Sequence, residues 1–357
     1  MGAGGPRFFR ENIIFLTISR HCIQQKMNCY PELARLLLRI YIFIYFNIMT
    51  SQPTFNGMPI EIIHETLQKM EPRNRLTLRK VSRNLRLAVD HHGIGFMDVI
   101  FKITSEKSVE MELDDICIKC RNNIHGNCLM DIEDDTQRRD KTIVGADCIE
   151  MALSVLEMCL KKPLKTLLLS INSLSEDRFK NFDALTDRLQ AVKPLDVECL
   201  LLTDLSLAQC AHLLPFFEAG KLERIAINND EEEFNKFEEI TVLEQWKKAK
   251  RLHLNPYKGF DTSSVSIESF FHCKWFSITV LTISAQDARK IEEILLKNEH
   301  FTGCDIKCWT LPVMTEIFQT ITELPSDDTI KSKFEYSSGN SKFSFEVQYG
   351  YINISRV

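Results

Sequence analysis

The densest set of side chains able to do chemistry is Cys117-Ile-Lys-Cys120-Arg-Asn-Asn-Ile-His125-Gly-Asn-Cys128, three thiols and an imidazole within twelve residues. Four such groups can close a tetrahedral zinc site, and the first two gaps match a zinc knuckle. The last gap does not, because two residues separate His125 from Cys128 where a knuckle has four. Cys117 and Cys120, three apart on a strand, also point to opposite faces unless a turn intervenes. The simpler reading is a hairpin with incidental cysteines around an Asn-Asn/His-Gly-Asn turn. No metal or other cofactor is expected; Cys117, Cys120, His125 and Cys128 are the candidates should one bind. Other catalytic patterns are missing. There is no Walker A, nucleophile-elbow Ser or H-E-x-x-H sequence, and Gly93-Ile-Gly95 lacks the third glycine of a dinucleotide loop. The nine histidines are scattered, and His253 reads as a surface or satisfied strand residue. Glu231-Glu232-Glu233 reads as a solvated loop or a lure for a basic partner. The chain is not expected to be an enzyme.

The 357 residues are 44% hydrophobic and 26% charged, an ordinary globular composition for one large or two smaller domains. A net charge of −5 excludes a global polyanion binder but not a local patch. Twelve scattered cysteines in so long a chain indicate reduced thiols, hence a cytoplasmic or nuclear setting.

The stretch from Met58 to His92 is built for docking. Pro59 suits the first turn of a helix, and Ile60, Ile63, Leu67 and Met70 follow at helical spacing. Pro72 breaks the pattern. Leu78, Val81, Leu85 and Ala88 then form a second apolar stripe, opposite Arg73, Arg75, Arg79, Lys80, Arg83 and Arg86. Two short amphipathic helices about a Pro-marked corner are expected, too small to stand alone. The stripes suit core or docking. The basic run also permits a nucleic-acid face, which the absence of interleaved aromatics disfavours.

Met58-Pro59, Glu61-Ile62-Ile63, Met70-Glu71-Pro72 and the run from Arg75 to Asp90 resemble an F-box, in particular that of nematode F-box proteins with a C-terminal FTH domain. The resemblance implies binding to a Skp adaptor and, through it, to a cullin-based ubiquitin ligase. The adaptor-binding residues it implies are Pro59, Ile60, Ile63, Leu67, Met70, Pro72, Leu76, Leu78, Val81 and Leu85, some of which must instead hold the helices together.

From Phe96 the apolar period changes to two. Val99, Phe101 and Ile103 alternate loosely, and Val109, Met111 and Leu113 strictly, before Asp114-Asp115 turns the chain into Ile116-Cys117-Ile118. Downstream, Leu164, Leu167 and Leu169 with Asn172 spell L-x-x-L-x-L-x-x-N. The apolar frame recurs at Val197-Leu200-Leu202, Leu222-Ile225-Ile227, Ala249-Leu252-Leu254, Ile278-Leu281-Ile283 and Phe301-Cys304-Ile306. Starts lie 33, 25, 27, 29 and 23 residues apart, close to the leucine-rich repeat range. Helical patterns fill the gaps, such as Ile149, Leu153, Leu156 and Leu160. The expected fold class is α/β: a short all-helical F-box, then an irregular leucine-rich-repeat-like α/β solenoid, with small antiparallel strand elements before and after it. The last of these elements uses Phe343, Phe345, Val347 and Tyr349, then Ile352 and Ile354, to cap the solenoid.

Glu244–Lys250 (EQWKKAK) before Arg251-Leu252-His253-Leu254 is similar to the signature of the FTH family. So are Ile267-Glu268-Ser269-Phe270-Phe271, Lys274–Ile278 and a helix at Asp287–Lys297. This resemblance covers roughly 145–330. Trp246 reads as an anchor between helix and sheet. The domains expected are 51–93 (F-box), 94–144 (hairpin region), 145–330 (FTH solenoid) and 331–357 (cap).

Residues 1–50 read differently. Leu36–Met49 is apolar and aromatic, but Arg39 interrupts it and the uncharged run is shorter than the roughly 20 residues of a membrane span. Signal-peptide and myristoylation patterns are incomplete. This leader is expected to be disordered or absent from the functional product, with Met49 as its start. Neither membrane nor nucleic acid is an expected partner.

Function follows as an expectation: a substrate receptor of a Skp-cullin-F-box ubiquitin ligase, acting by proximity. In each frame the inner apolar residues face the core, so their neighbours face a concave sheet surface. That row holds Thr166, Leu168 and Ser170; Cys199, Leu201 and Thr203; Arg224, Ala226 and Asn228; Arg251, His253 and Asn255; and Val280, Thr282 and Ser284. Arg224, Asn228, Arg251, His253 and Asn255 are its candidate target-binding residues, suited to a partner with some negative charge. The alternatives are a non-ligase scaffold or RNA-regulatory partner, and a metal-dependent nucleic-acid module on the Cys/His cluster.

Overall fold

The computed structural model describes residues 59–135, 137–171, 178–229, 234, 236–256, 258–309, 331–338, 341–348 and 350–357. The expected leader, Met58, Asn172, the acidic run at 231–233 and Tyr349 lie outside them.

The chain divides into two compact units at Lys69/Met70. In the first, α1 (Ile60–Lys69) starts at Pro59, whose carbonyl accepts from the Ile62 and Ile63 amides at 3.1 and 3.3 Å. Glu61 in its first turn and Lys69 in its last complement the helix dipole.

The second unit opens with two helices where one stripe was expected. α2 (Pro72–Leu78) has Pro72 in its first turn. α3 (Arg83–His92) is capped by Ser82, whose hydroxyl accepts from the Leu85 amide at 3.2 Å. The break falls at 79–82, so Val81 leaves the apolar stripe and stands 65% exposed. Gly93 ends α3 with φ 83°, a conformation that a Cβ would strain.

The strands among the described residues form one 14-stranded sheet. β1 (Asp98–Ser105) pairs antiparallel with β2 (Ser108–Leu113), and β3 (Ile116–Asn122), β4 (Cys128–Asp134) and β5 (Gln137–Ile143) continue the meander. On its other side β1 pairs in parallel with β6 (Leu164–Ile171). From there β7 (Val197–Thr203), β8 (Arg224–Asn228), β9 (Arg251–Leu254), β10 (Trp275–Val280) and β11 (Gly303–Cys308) each add in parallel beside the last. β14 (Tyr351–Arg356) pairs antiparallel with β11, and β13 (Ser341–Gln348) and β12 (Lys331–Ser338) follow outward.

Leu167, Leu169, Leu200, Leu202, Ile225, Ile227, Leu252, Leu254, Phe276 and Ile278 are all fully buried. The helices α4 (Cys148–Cys159), α5 (Arg178–Val192), α6 (Leu207–Leu213), α7 (Phe237–Thr241), α8 (Glu244–Lys248) and α9 (Ala285–Lys290) bury apolar residues on this side of the sheet, α4 against β1–β3 and α5 against β6, while Phe179 of α5 stays exposed. Crossovers that always step in one direction keep their helices on one face. Among the described residues no crossover helix lies on the opposite face. Asp147 caps α4 through the Ile149 and Glu150 amides, and capping boxes start α6 (Ser206, Gln209) and α9 (Ser284, Asp287). Under β8–β13 runs a line of rings, Phe234, Phe260, Phe270, Phe276, Phe301 and Phe343, with successive centroids 5.5–6.4 Å apart. Trp246 joins it edge-on to Phe237 and Phe270 and donates from Nε1 to the Ser269 carbonyl at 3.2 Å.

The parallel register corrects one frame. Phe276 and Ile278 lie beside Leu252 and Leu254, so the fifth frame is Cys273-Phe276-Ile278 and not Ile278-Leu281-Ile283. Val280 is fully buried, and Trp275, Ser277 and Thr279 take the outward places expected for Val280, Thr282 and Ser284.

Candidate functional site

Cross-strand pairing sorts the open face into rows. The first runs Asp98, Thr166, Cys199, Arg224, Arg251, Trp275, Gly303, Ser355. The second runs Ile100, Leu168, Leu201, Ala226, His253, Ser277, Asp305, Asn353. Chemistry concentrates where these rows cross β8–β10. Arg224 and Arg251 are direct neighbours on strands about 4.8 Å apart, an arrangement that costs energy for like charges. Among the described residues neither guanidinium has an ion-pair partner within 4.0 Å. The Nε of Arg224 is buried without an acceptor.

His253 lies against Trp275, ring centroids 4.7 Å apart. Burial and then the Arg224 charge push its pKa down to about 4, so it is neutral at pH 7. With Thr302 these four side chains line a 380 Å³ cavity. Gly303 makes room for the neighbouring strand: a Cβ there would sit 2.6 Å from the Ile354 carbonyl oxygen, while 3.5 Å from Trp275 Cδ1 is an ordinary contact. Asp305, one strand further, is already engaged by the hydroxyl of Tyr351 and by Asn353 Nδ2.

Three of the five expected target-binding residues, Arg224, Arg251 and His253, therefore meet in one cavity. Asn228 and Asn255 lie outside it; Asn228 is exposed and Asn255 accepts from the Thr279 hydroxyl at 3.1 Å. Sequence reasoning missed Trp275 and Thr302. The misplaced fifth frame hid the tryptophan, while nothing local marks Thr302.

A larger cavity, 580 Å³, lies on the β2–β5 meander, but Lys119 with Glu110 and Arg138 with Asp131 already pair their charges there. Of the Cys/His cluster only the buried Cys120 and Cys128 thiols meet, across β3 and β4, and the four residues do not form one site. Cys117 is half-exposed on the face of β3 opposite buried Cys120, His125 is exposed in the turn, and no group of three metal-binding side chains occurs among the described residues. Burial pushes the Cys120 thiol up to about 12, which leaves it protonated at neutral pH.

The helical residues divide by exposure. Leu67 and Leu85 are fully or nearly fully buried, which makes them core residues. Pro59 and Val81 are exposed; Ile63, Met70, Pro72, Leu76 and Leu78 are half-buried; the side chain of Ile60 lies outside the description. Leu87, absent from the expected set, is 61% exposed on α3. Part of the basic run is internally matched: Arg73 pairs with Asp134, Arg79 grips Asp90 with two bonds of 2.6 and 3.2 Å, and buried Arg75 donates to the Ile94 carbonyl at 2.5 Å.

Among the described residues no helix is long and apolar enough to cross a membrane. The F-box domain model matches residues 55–97 and the FTH domain model residues 179–321. F-box A protein 224 of Caenorhabditis elegans is 24% identical over 323 residues, which span 85% of this chain and 79% of that protein. No solved structure matches. With both domain models matched in that order, and a nematode F-box protein similar along most of its length, the chain is an F-box protein of the nematode kind with a C-terminal FTH domain.

Proposed function

We propose that this protein is the substrate-recognition subunit of a Skp-cullin-F-box ubiquitin ligase, working in the cytoplasm or nucleus and performing no chemistry itself. The F-box takes the Skp adaptor. The parallel strands act as an irregular leucine-rich-repeat-like solenoid whose open face takes a target protein, holding it at high effective concentration beside a separate ubiquitin-transferring enzyme. The observation that supports this reading is the combination, in one chain, of an F-box with a sheet whose second face, among the described residues, has no covering helix and carries two arginines without an ion-pair partner.

Within the second unit Met70, Pro72, Leu76, Leu78 and Val81 are assigned to adaptor binding, with Leu87 added and buried Leu85 reassigned to the core; in the first unit Pro59, Ile60 and Ile63 of the α1 region are assigned to it by the F-box resemblance. The test is co-purification of the full chain with a Skp adaptor. Val81→Glu/Leu87→Glu is expected to weaken capture at least about tenfold while leaving the circular dichroism spectrum unchanged, because both side chains are more than half exposed. A folded wild-type chain that captures no adaptor would sink the receptor reading.

A further inference from the structure

We propose that the cavity formed by Arg224, Arg251, His253, Trp275 and Thr302 is a binding site for a phosphomonoester on the target protein, so that phosphorylation of the target selects it for recruitment. This rests on the reading of the open face as the target-binding surface.

Three observations lead there. Two arginines sit on adjacent strands at the same register with no ion-pair partner among the described residues, and one has a buried Nε without an acceptor. A fold gains nothing from such a pair, since like charges directly across a ladder are destabilising, so the charge is matched to something the chain does not itself provide. Two guanidinium groups balance the charge of about −2 on a phosphomonoester at neutral pH, and their planar forks suit its oxygens. A single carboxylate would leave one positive charge over.

The walls narrow the class further. Trp275 and a neutral His253 supply flat, uncharged surface against which the carbon part of a phosphorylated side chain can lie. The apolar row of Ile100, Leu168, Leu201 and Ala226 leads up to His253 and offers a bed for flanking target residues.

A nucleic-acid strand fits less well. Its backbone needs a basic track, whereas the first row passes from the arginines to Cys199, Thr166 and Asp98 on one side and to Gly303 and Ser355 on the other. The positive charge spans two strands, room for one phosphate rather than several.

The experiment uses the full chain in about 0.15 M salt, where the Debye length is about 8 Å. Phenyl phosphate, inorganic phosphate, acetate and an eight-nucleotide oligouridine are each titrated while intrinsic tryptophan fluorescence is followed. Trp275→Phe identifies the part of the signal that arises in the cavity, since Trp246 is buried elsewhere. The expected result is a saturable change with phenyl phosphate that is lost in Trp275→Phe and weakened at least about tenfold in Arg224→Gln and in Arg251→Gln. Lys307→Gln, four residues beyond Gly303 on β11, should change it less than twofold.

No response from the folded wild type, or a response indifferent to both arginines, overturns the proposal. Acetate binding as tightly as phenyl phosphate reassigns the cavity to a carboxylate. Inorganic phosphate binding tenfold more tightly than phenyl phosphate reassigns it to the free ion, and oligouridine binding more tightly than either reassigns it to RNA. Each of these outcomes also overturns it. None depends on adaptor capture, so failure here leaves the receptor reading intact, and failure of adaptor capture leaves the anion site intact.

Discussion

If Arg224 and Arg251 are an unmatched pair, reversing one of them should stabilise the fold while destroying the site. Groups at the strand spacing of about 4.8 Å repel by roughly 1 kcal/mol in water and by roughly 3 kcal/mol at an effective dielectric of 20. Arg251 is exposed and Arg224 half-buried, so solvent screening keeps the interaction near the lower figure. In Arg251→Glu the repulsion becomes an attraction of similar size. Allowing for flexible side chains that can splay apart, the net gain is about 1 kcal/mol, at the upper end of measured cross-strand pairs. In urea this appears as a midpoint about 0.3 M higher, for a slope of about 3 kcal/mol/M. Salt supplies the control. Raising ionic strength from about 0.01 to about 1 M shortens the Debye length from about 30 to about 3 Å, so the advantage of the variant over the wild type should shrink toward zero. Arg251→Gln should fall between the two proteins. A glutamate variant no more stable than wild type at low salt, or an advantage that ignores salt, would show that the fold already neutralises these arginines, and the argument from unmatched charge would fail.

Two further outcomes follow from the packing. Trp246→Ala should destabilise the protein by about 3–5 kcal/mol in urea unfolding, because the ring is 1% exposed and removing it opens a cavity among Phe237 and Phe270; Trp246→Phe should cost less, about 1–3 kcal/mol, chiefly for the Ser269 carbonyl left unpaired. His253 has a folded pKa of about 4 against an ordinary value of 6.5, so between these pH values the unfolded chain binds more protons and stability falls as pH drops. His253→Gln should make that decline shallower in urea titrations run at successive pH values, and an unchanged slope would show that another group carries it.

Alternation made β1–β3 legible because Val99, Phe101, Ile103, Val109, Met111 and Leu113 are all buried on one side. The apolar frames located β6–β9 and β11 for the same reason. The frame failed at β10, where Ile278-Thr-Val-Leu281-Thr-Ile283 satisfies the pattern as well as Cys273-Lys-Trp-Phe276-Ser-Ile278 does. Only the non-local pairing of Phe276 and Ile278 with Leu252 and Leu254 separates them. β5 was invisible because Gln137–Ile143 is polar throughout and almost wholly exposed, which suits an edge strand but leaves no period to read. The break after α2 did carry a signal, Ser82 as a helix cap, which the stripe through Val81 and Leu85 masked. Of the site, Arg224 and Arg251 were readable as the same position in consecutive frames. Their lack of a counter-charge was not, since it depends on every side chain that might have folded back onto them.

That lack is informative because several other cations on and beside the sheet do find an acid. On the meander, Lys119 meets Glu110 and Arg138 meets Asp131; near α8, Lys250 meets Glu223, the residue just before Arg224. Glu223 lies within one residue of Arg224 in sequence, yet its side chain serves Lys250, because alternation along the chain sends neighbouring side chains to opposite faces. Asp305 lies on the same face as the arginines and two strands from Arg251, yet Tyr351 and Asn353 of the capping strand hold it away from them. Glu223 and Asp305 are thus committed elsewhere, the one by the pleat and the other by the terminal strand. The terminal strands contribute to the site in this indirect way: by engaging Asp305 they leave the positive field of Arg224 and Arg251 open to an anion from outside.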